Sequence, residues 1–290
     1  MTGPVYHRPT TLQAALERLA ERPLVVLSGG TDHYPARVGP HAEEAVLDIG
    51  GISELRFIRE EAQAFVLGGR TTWTDVVEAE LPPWFDALKQ AAREIGGVQI
   101  QNRGTLAGNL CNASPAADGT PCLLAADAAV ELHSVAGPRR LPLADFLIGY
   151  RATARRPDEL LTAIHLPKPD RPAASRFLKL GARRYLVISI AMVAATLEVD
   201  DGGAVAAARI AVGACSATAQ RLSELEAALV GRPAAPGLGA LVSEAHLAEL
   251  QPIDDVRASA AYRRRAARTL VARALEDVVR VPAEAEENAA

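Results

Sequence analysis

The chain has 290 residues, with 31 Lys and Arg against 35 Asp and Glu for a formal charge of −4, and is 49% hydrophobic and 23% charged. That composition is ordinary for a globular protein long enough for two domains, and the weak negative charge argues against nucleic acid, which demands a basic face. Three cysteines are too few for a disulfide framework or a four-cysteine iron–sulfur cluster, so redox chemistry here needs a borrowed cofactor. Met1 to Arg8 lacks the cationic and then apolar order of a signal peptide. The longest apolar stretch, Tyr185 to Leu197, is too short to span a bilayer and reads as a buried element. The expected compartment is the cytoplasm.

In chain order, Thr10 and Gln13 fit a capping box for a helix whose face carries Leu12, Ala15, Leu16 and Leu19. Pro23 ends it. Leu24 to Leu27 reads as a buried strand followed by a glycine turn, and Val46 to Ile49 and Phe65 to Leu67 as further strands, each closed by a glycine pair. Thr72 to Glu80 predicts a short helix capped by Thr72 or Thr74, and Phe85 to Ile95 a second one ending at Gly96-Gly97. From Val98 to Asp118 periodicity vanishes, as in functional segments. Strand and core character returns from Leu123 to Leu132. Four prolines between Pro157 and Pro172 mark the expected domain boundary.

The second half predicts strands over Phe177 to Leu180 and Tyr185 to Val199, a hairpin turn at Asp200 to Gly203 and a partner strand over Val205 to Val212. Ser223 to Leu229, Gly239 to Glu249 and Tyr262 to Val279 read as helices, the last amphipathic. Ala283 to Ala290 reads as a frayed acidic tail. This mixture makes an α/β or α+β fold the economical choice.

Two segments can carry chemistry. Val26-Leu27-Ser28-Gly29-Gly30-Thr31-Asp32-His33 lets a backbone without Cβ atoms present successive N–H groups to an anion, or is an ordinary turn at a strand end. Gln101 to Asn109, continuing to Asn112 through Asp118, crowds hydroxyls and amides into one stretch. That suits a large polar ligand better than acid–base catalysis; the bland reading is a loop rich in turn formers. The six histidines show no zinc-binding spacing and the cysteines no C-x-x-C pair. Cys111 is either a reactive thiol or a small buried hydrophobe. Arg263-Arg264-Arg265-Arg268 reads as a solvated face or a partner contact.

Together these segments resemble the FAD-binding medium subunit of the molybdenum hydroxylases, the xanthine dehydrogenase and carbon monoxide dehydrogenase family, over nearly the whole chain. The family's A-G-G-T-D loop stands as Ser28-Gly29-Gly30-Thr31-Asp32, and its lig.GA.tt step as Leu67 to Thr72. I-R-N-x-G-T-I-G-G-N followed by A-S-P-x-x-D is similar to Ile100 through Asn109 and then Ala113 through Asp118. Phe177-Leu178-Lys179 with Arg183-Arg184, and Ser259 to Arg263, also fit. The resemblance implies an α+β chain. Its first part is a two-subdomain FAD-binding fold of the PCMH (vanillyl-alcohol oxidase-like) type over residues 1–170, dividing near residue 56. A smaller α+β domain follows over 171–282.

It further implies that Val26, Leu27, Ser28, Gly29, Gly30, Thr31, Asp32 and His33 hold the FAD pyrophosphate. Thr105, Leu106, Ala107, Gly108 and Asn109 bind the ligand from another side, with Ser114 in reach of its polar oxygens, and Asp118 bonds the flavin nucleotide. Ile95 and Leu161 lie near the isoalloxazine ring, and Lys179 matches a family lysine. No metal ligands and no catalytic side chains are implied, because the flavin carries the chemistry. Implied partners are a large molybdenum-cofactor subunit, a small subunit with two [2Fe–2S] clusters, and an electron acceptor such as NAD+, oxygen or quinone. The rival readings are a free-standing FAD oxidase or reductase, and a scaffold that has lost its flavin. The last turns on two departures. Ala107 adds a methyl where close approach or a positive φ is expected, and Gln101 replaces an arginine.

Overall fold

The computed structural model describes residues 5–35 and 44–287. In chain order the elements are β1 (Tyr6–His7), α1 (Leu12–Glu21), β2 (Val25–Leu27), β3 (Val46–Asp48), β4 (Ile58–Glu60), β5 (Ala64–Gly68), α2 (Trp73–Glu78), α3 (Asp86–Glu94), α4 (Val98–Gln101), α5 (Leu106–Asn112) and α6 (Gly119–Leu124). They continue with β6 (Ala129–Ser134), β7 (Gly137–Pro142), α7 (Leu143–Phe146), β8 (Leu147–Gly149), β9 (Ala152–Thr153), β10 (Leu160–Pro167), β11 (Ala173–Leu180), β12 (Ala191–Val199), β13 (Val205–Gly213), β14 (Gln220–Arg221), α8 (Ser223–Leu229) and α9 (Ala260–Glu287). The class is α+β. The chain packs as two units. Unit one is Met1–Ala79, Gly97–Ala113 and Ala128–Leu166; unit two is Glu80–Gly96, Ser114–Asp127 and Pro167–Ala290.

In unit one a parallel sheet of order β1-β3-β2 packs on α1, burying Ala15, Leu16, Leu19, Leu24, Leu47, Ile49, Ile52 and Leu55 together. The cap of α1 is Thr11 rather than Thr10. Its extended backbone (φ −128°) aims the hydroxyl at the Ala14 N–H, 3.3 Å away, and Gln13 donates to Glu17 instead of reaching back. The Thr72 cap of α2 forms as expected, in a complete capping box with Asp75. Beside these lies a five-stranded sheet of order β4-β5-β10-β6-β7. β10 occupies much of the proline-rich stretch expected to hold the domain boundary. Leu160 to Leu166 is buried throughout, and the prolines flank the strand or end it, where no ladder N–H is required. The stretch without periodicity holds α4 and α5, each two turns or fewer and too short to display a helical repeat.

On β10, His165 is 8% exposed and faces Glu131 Oε2 at 3.1 Å. Burial, and secondarily Arg140, lower its pKa from 6.5, while Glu131 opposes them. An imidazole harder to protonate folded than unfolded binds fewer protons in the native state, so stability is lost as pH falls below about 6.5. Urea titrations between pH 7.5 and 5 are expected to show that decline, and His165→Gln to flatten it.

Unit two is built on an antiparallel sheet of order β11-β12-β13-β14. Buried residues of β12 and β13, Ala191, Val193, Ala195, Ile210 and Val212 among them, meet Ala267, Val271, Ala274, Leu275 and Val278 of α9. The hairpin at Asp200 to Gly203 forms as read, with Asp200 Oδ1 accepting from the Gly202 and Ala204 N–H groups. Tyr185 to Ile190, expected as the start of a strand and part of a buried element, is instead a loop. Tyr185, Leu186 and Ile188 are about 60% exposed, because Leu186 turns through φ 51° and Arg183 grips its carbonyl. Leu123 and Leu124 belong to helix α6, and the strand expected there begins only at Ala129. Gly239 to Glu249 folds as two short 3-10 turns with a break between. α9 continues through the expected tail to Glu287; residues 288–290 lie outside the described residues.

The arginine cluster on α9 is not a solvated face throughout. Arg263 is 1% exposed and donates to Ile190 O (2.6 Å), Ala214 O (3.1 Å) and Asp255 Oδ1 (2.7 Å). Arg264 holds the carbonyls of Leu247 and Leu250. Arg263 thus satisfies the entry to β12, the end of β13 and an acidic loop at once. Arg263→Met, which leaves those acceptors without their donor, is expected to destabilise the chain by roughly 3–5 kcal/mol in chemical denaturation.

Candidate cofactor-binding site

In unit one the two glycine-bearing segments meet. β2 ends at Leu27, which is buried, and releases Ser28 and Gly29 into a bend. A Cβ on Gly29 would lie 1.9 Å from the Arg103 carbonyl oxygen, so the two backbones touch where only glycine fits. Gly30 follows with φ +71°. Thr105 Oγ1 lies 3.5 Å from Ser28 Oγ, and Thr31 Oγ1 is within 3.4 Å of where a Gly104 Cβ would sit. Val26 to His33 and Gly104 to Asn109 therefore pack against each other.

The second segment is fixed from beneath. The Trp73 N–H donates to Gly104 O (3.2 Å), and the Leu106 N–H to Thr71 O (3.1 Å). Thr105 caps α5 by accepting the Gly108 N–H at 3.1 Å. Leu106 is fully buried and Ala107 is 5% exposed. The Ala107 methyl thus points into the unit from a helical backbone, and the feared need for a positive φ does not arise there. Gln101 sits half-buried at the end of α4. The buried Asn109 Oδ1 accepts no hydrogen bond, an unfilled acceptor that ordinarily marks an absent partner. Cys111, two residues beyond Asn109, has its thiol pushed up to about 11 by burial, which removes the thiolate a reactive cysteine needs.

Arg151, which sequence reasoning did not single out, ties these parts together. It stands at φ 49° in the β8–β9 turn, its N–H bonds Ala113 O at 3.0 Å, and its guanidinium reaches Asn112 Oδ1 (2.5 Å) and Asp32 Oδ2 (3.3 Å). No residue-type pattern announces a left-handed arginine. Leu161 is 2% exposed on β10, and its carbonyl would lie 2.3 Å from a Cβ on Gly69; nothing places its side chain at the glycine segments.

Unit two brings Asp118 and Lys179 together. Lys179 Nζ donates to Asp118 Oδ2 at 2.6 Å, both side chains being 7% exposed. Ser189, fully buried, donates to Asp118 Oδ1 at 2.5 Å. Burial pushes the Asp118 carboxyl above its ordinary value, opposed by Lys179 and Ser189. Thr120, 4% exposed, leaves its hydroxyl without a partner. Ser114 accepts the Ala116 N–H at 3.3 Å, and Ile95 is half-buried at the end of α3.

Residues 1–169 match the family model described as the FAD binding domain in molybdopterin dehydrogenase, and residues 176–278 the CO dehydrogenase flavoprotein C-terminal domain. The nicotinate dehydrogenase FAD-subunit of Eubacterium barkeri is 33% identical over 240 residues, 79% of this chain and 80% of that protein. A putative xanthine dehydrogenase FAD-binding subunit of Escherichia coli K12 is 31% identical over 94% of this chain and 95% of its own length. Among solved structures, carbon monoxide dehydrogenase from Hydrogenophaga pseudoflava superposes with a TM-score of 0.84 at 28% identity, covering 96% of this chain and 98% of that one. Quinoline 2-oxidoreductase from Pseudomonas putida 86 gives 0.84 at 26% identity, covering 97% and 99%.

Gly29→Ala drives a methyl into the Arg103 carbonyl. The expected result is a stability loss of roughly 1–3 kcal/mol from overpacking, measured by urea unfolding, with far-UV circular dichroism unchanged.

Proposed function

Because this chain belongs to the family of FAD-binding medium subunits of the molybdenum hydroxylases, we propose that it is the electron-transfer subunit of such an enzyme. In this reading it receives electrons from the two [2Fe–2S] clusters of a small partner subunit and delivers them to an external acceptor (NAD+, oxygen or a quinone). A large partner with the molybdenum cofactor acts on the substrate. Its relatives are subunits of dehydrogenases, named as FAD-subunits or medium chains, and the chain is the flavoprotein part of an oxidoreductase. The three cysteines are free thiols, which supports the cytoplasm as its place. No helix among the described residues is long and apolar enough to cross a membrane.

The cofactor is FAD, and the residues present fit it. At Gly29 the backbone lies against the Arg103 carbonyl with no room for a Cβ, and Asn109 Oδ1 is a buried acceptor awaiting a donor. When bound, FAD supplies the means to take electrons singly from clusters and pass them to the acceptor.

The chain's own residues bind and orient. Val26 to His33 offer successive N–H groups and the Thr31 hydroxyl to the pyrophosphate, while Thr105 to Asn109 offer hydroxyl and amide groups to the same ligand. Arg151 holds Asp32 and Asn112 in place and brings positive charge to these segments. Asp118 accepts hydroxyls of the flavin nucleotide, Lys179 keeps that carboxylate paired, and Ile95 and Leu161 provide apolar contact for the ring. The observation that carries the reading is the abutment of the two glycine segments beside an unsatisfied buried acceptor. The Ala107 methyl lies inside the unit, which removes the steric case for a scaffold that has lost its flavin.

The test is uptake of FAD by the purified full-length chain, followed by flavin fluorescence and by the shift in melting temperature. One equivalent is expected to bind, and native purification to recover two further chains carrying molybdenum and iron. A colourless chain that ignores FAD sinks the reading. Turnover of a substrate by the isolated flavin-loaded chain favours the free-standing oxidase instead.

A further inference from the structure

Ser189 is the only polar residue between Leu186 and Thr196, and its side chain meets a charge. Tyr185, Leu186 and Ile188 just before it are exposed, whereas Ser189 is 0% exposed. A hydroxyl taken out of water needs a partner, and its partner is Asp118 Oδ1 at 2.5 Å. Lys179 holds the other oxygen at 2.6 Å. Ser189 has little freedom to leave. Its neighbour Ile190 is fixed through its N–H to Leu180 O (2.7 Å) and through its carbonyl to buried Arg263 (2.6 Å). On the other side the loop is clamped by Arg183 on the Leu186 carbonyl.

An ionised carboxylate accepts about four hydrogen bonds. With one donor on each oxygen, Asp118 is fixed in orientation and keeps an open lone pair on each. We propose that Ser189 is a positioning residue for FAD, holding Asp118 ionised and aimed so that its remaining lone pairs accept hydroxyls of the flavin nucleotide. This rests on the reading that FAD is the cofactor and Asp118 one of its ligands. Burial favours the protonated acid, and Lys179 and Ser189 oppose it; loss of the Ser189 bond shifts that balance toward the acid, which accepts fewer bonds. The other groups packed around α6 do not take over. Cys122 on α6 stays a thiol, pushed well up by burial. Arg209 and Arg221 engage the carbonyls of Ala125 and Leu124 at the far end of the helix. Asp86 on α3 answers to Lys89, Arg93 and Arg176.

The experiment titrates FAD into the full-length apo chain at pH 8 and pH 5.5 for the parent, Ser189→Ala, Ser189→Thr and Asp118→Asn, with melting curves of each apo form. Ser189→Ala is expected to bind within about threefold of the parent at pH 8 and about tenfold more weakly at pH 5.5, as Asp118 takes up its proton at higher pH. Ser189→Thr, which keeps the hydroxyl, restores the parent profile. Equal affinities for the parent and Ser189→Ala at both pH values overturn the proposal, as does a loss that is independent of pH and not rescued by threonine. Should Ser189→Ala not fold, a threonine variant that folds but shows the acid-side weakening overturns it too. If the parent binds FAD and Asp118→Asn binds equally well, Asp118 is not a ligand and the proposal falls while the cofactor reading stands. If the parent binds none, the cofactor reading itself fails.

Discussion

The contact on which the two glycine segments of unit one depend is a backbone against a backbone: the peptide at Gly29 lying on the carbonyl of Arg103. Everything around it follows from keeping that approach. β2 must end at Leu27 so that the chain can bend. Gly104 must stay free of a side chain so that Thr31 and Trp73 can close on it, and Thr105 must cap α5 so that the following N–H groups are presented in order. A side chain at the contact would separate two segments more than seventy residues apart in the chain, while the sheets beneath would be little changed. The demand is local and steric, and glycine is the cheapest answer to it.

Steric demands of this kind are what a sequence displays best. The glycine segments, the buried strands Leu24 to Leu27 and Phe65 to Leu67, the Asp200 to Gly203 hairpin and the long C-terminal helix were all legible, because each rests on a residue type that one conformation strongly prefers. The short helices α4 and α5 were not, since each is shorter than two full repeats of the helical period and neither carries an apolar face that repeats. Composition also misled at Tyr185 to Ile190, where apolar residues stand exposed because a left-handed leucine and an arginine clamp outweigh their hydrophobicity. The concern over Ala107 arose because a glycine pair in a loop and an alanine inside a helix read alike until the helix is seen.

The polar contacts of the site were half visible. Asp118 and Lys179 were marked by the family resemblance, but the bond between them spans 61 residues and no spacing reveals it. Ser189 left a faint trace as a break in an apolar run. Arg151 left none, for its role comes from a backbone angle. In unit two the paired charges are buried almost completely, a costly arrangement for stability alone, and such expense is typical of sites where ligand recognition sets the terms.

The interleaving of the two units has a consequence for how the protein is made. α3 and α6 are synthesised early, yet the Ala87 N–H waits for Ser175 Oγ, 88 residues later, and Ala125 O waits for Arg209, 84 residues later. On the ribosome, then, the N-terminal half cannot complete itself in the order of its synthesis: two of its helices must stay unsettled until the sheet of the second unit emerges. Contacts so distant along the chain slow folding and leave apolar faces open meanwhile. The boundary near residue 170 that divides the family models is thus a division of sequence ancestry. It is not a place where the nascent chain could be cut to leave two finished halves.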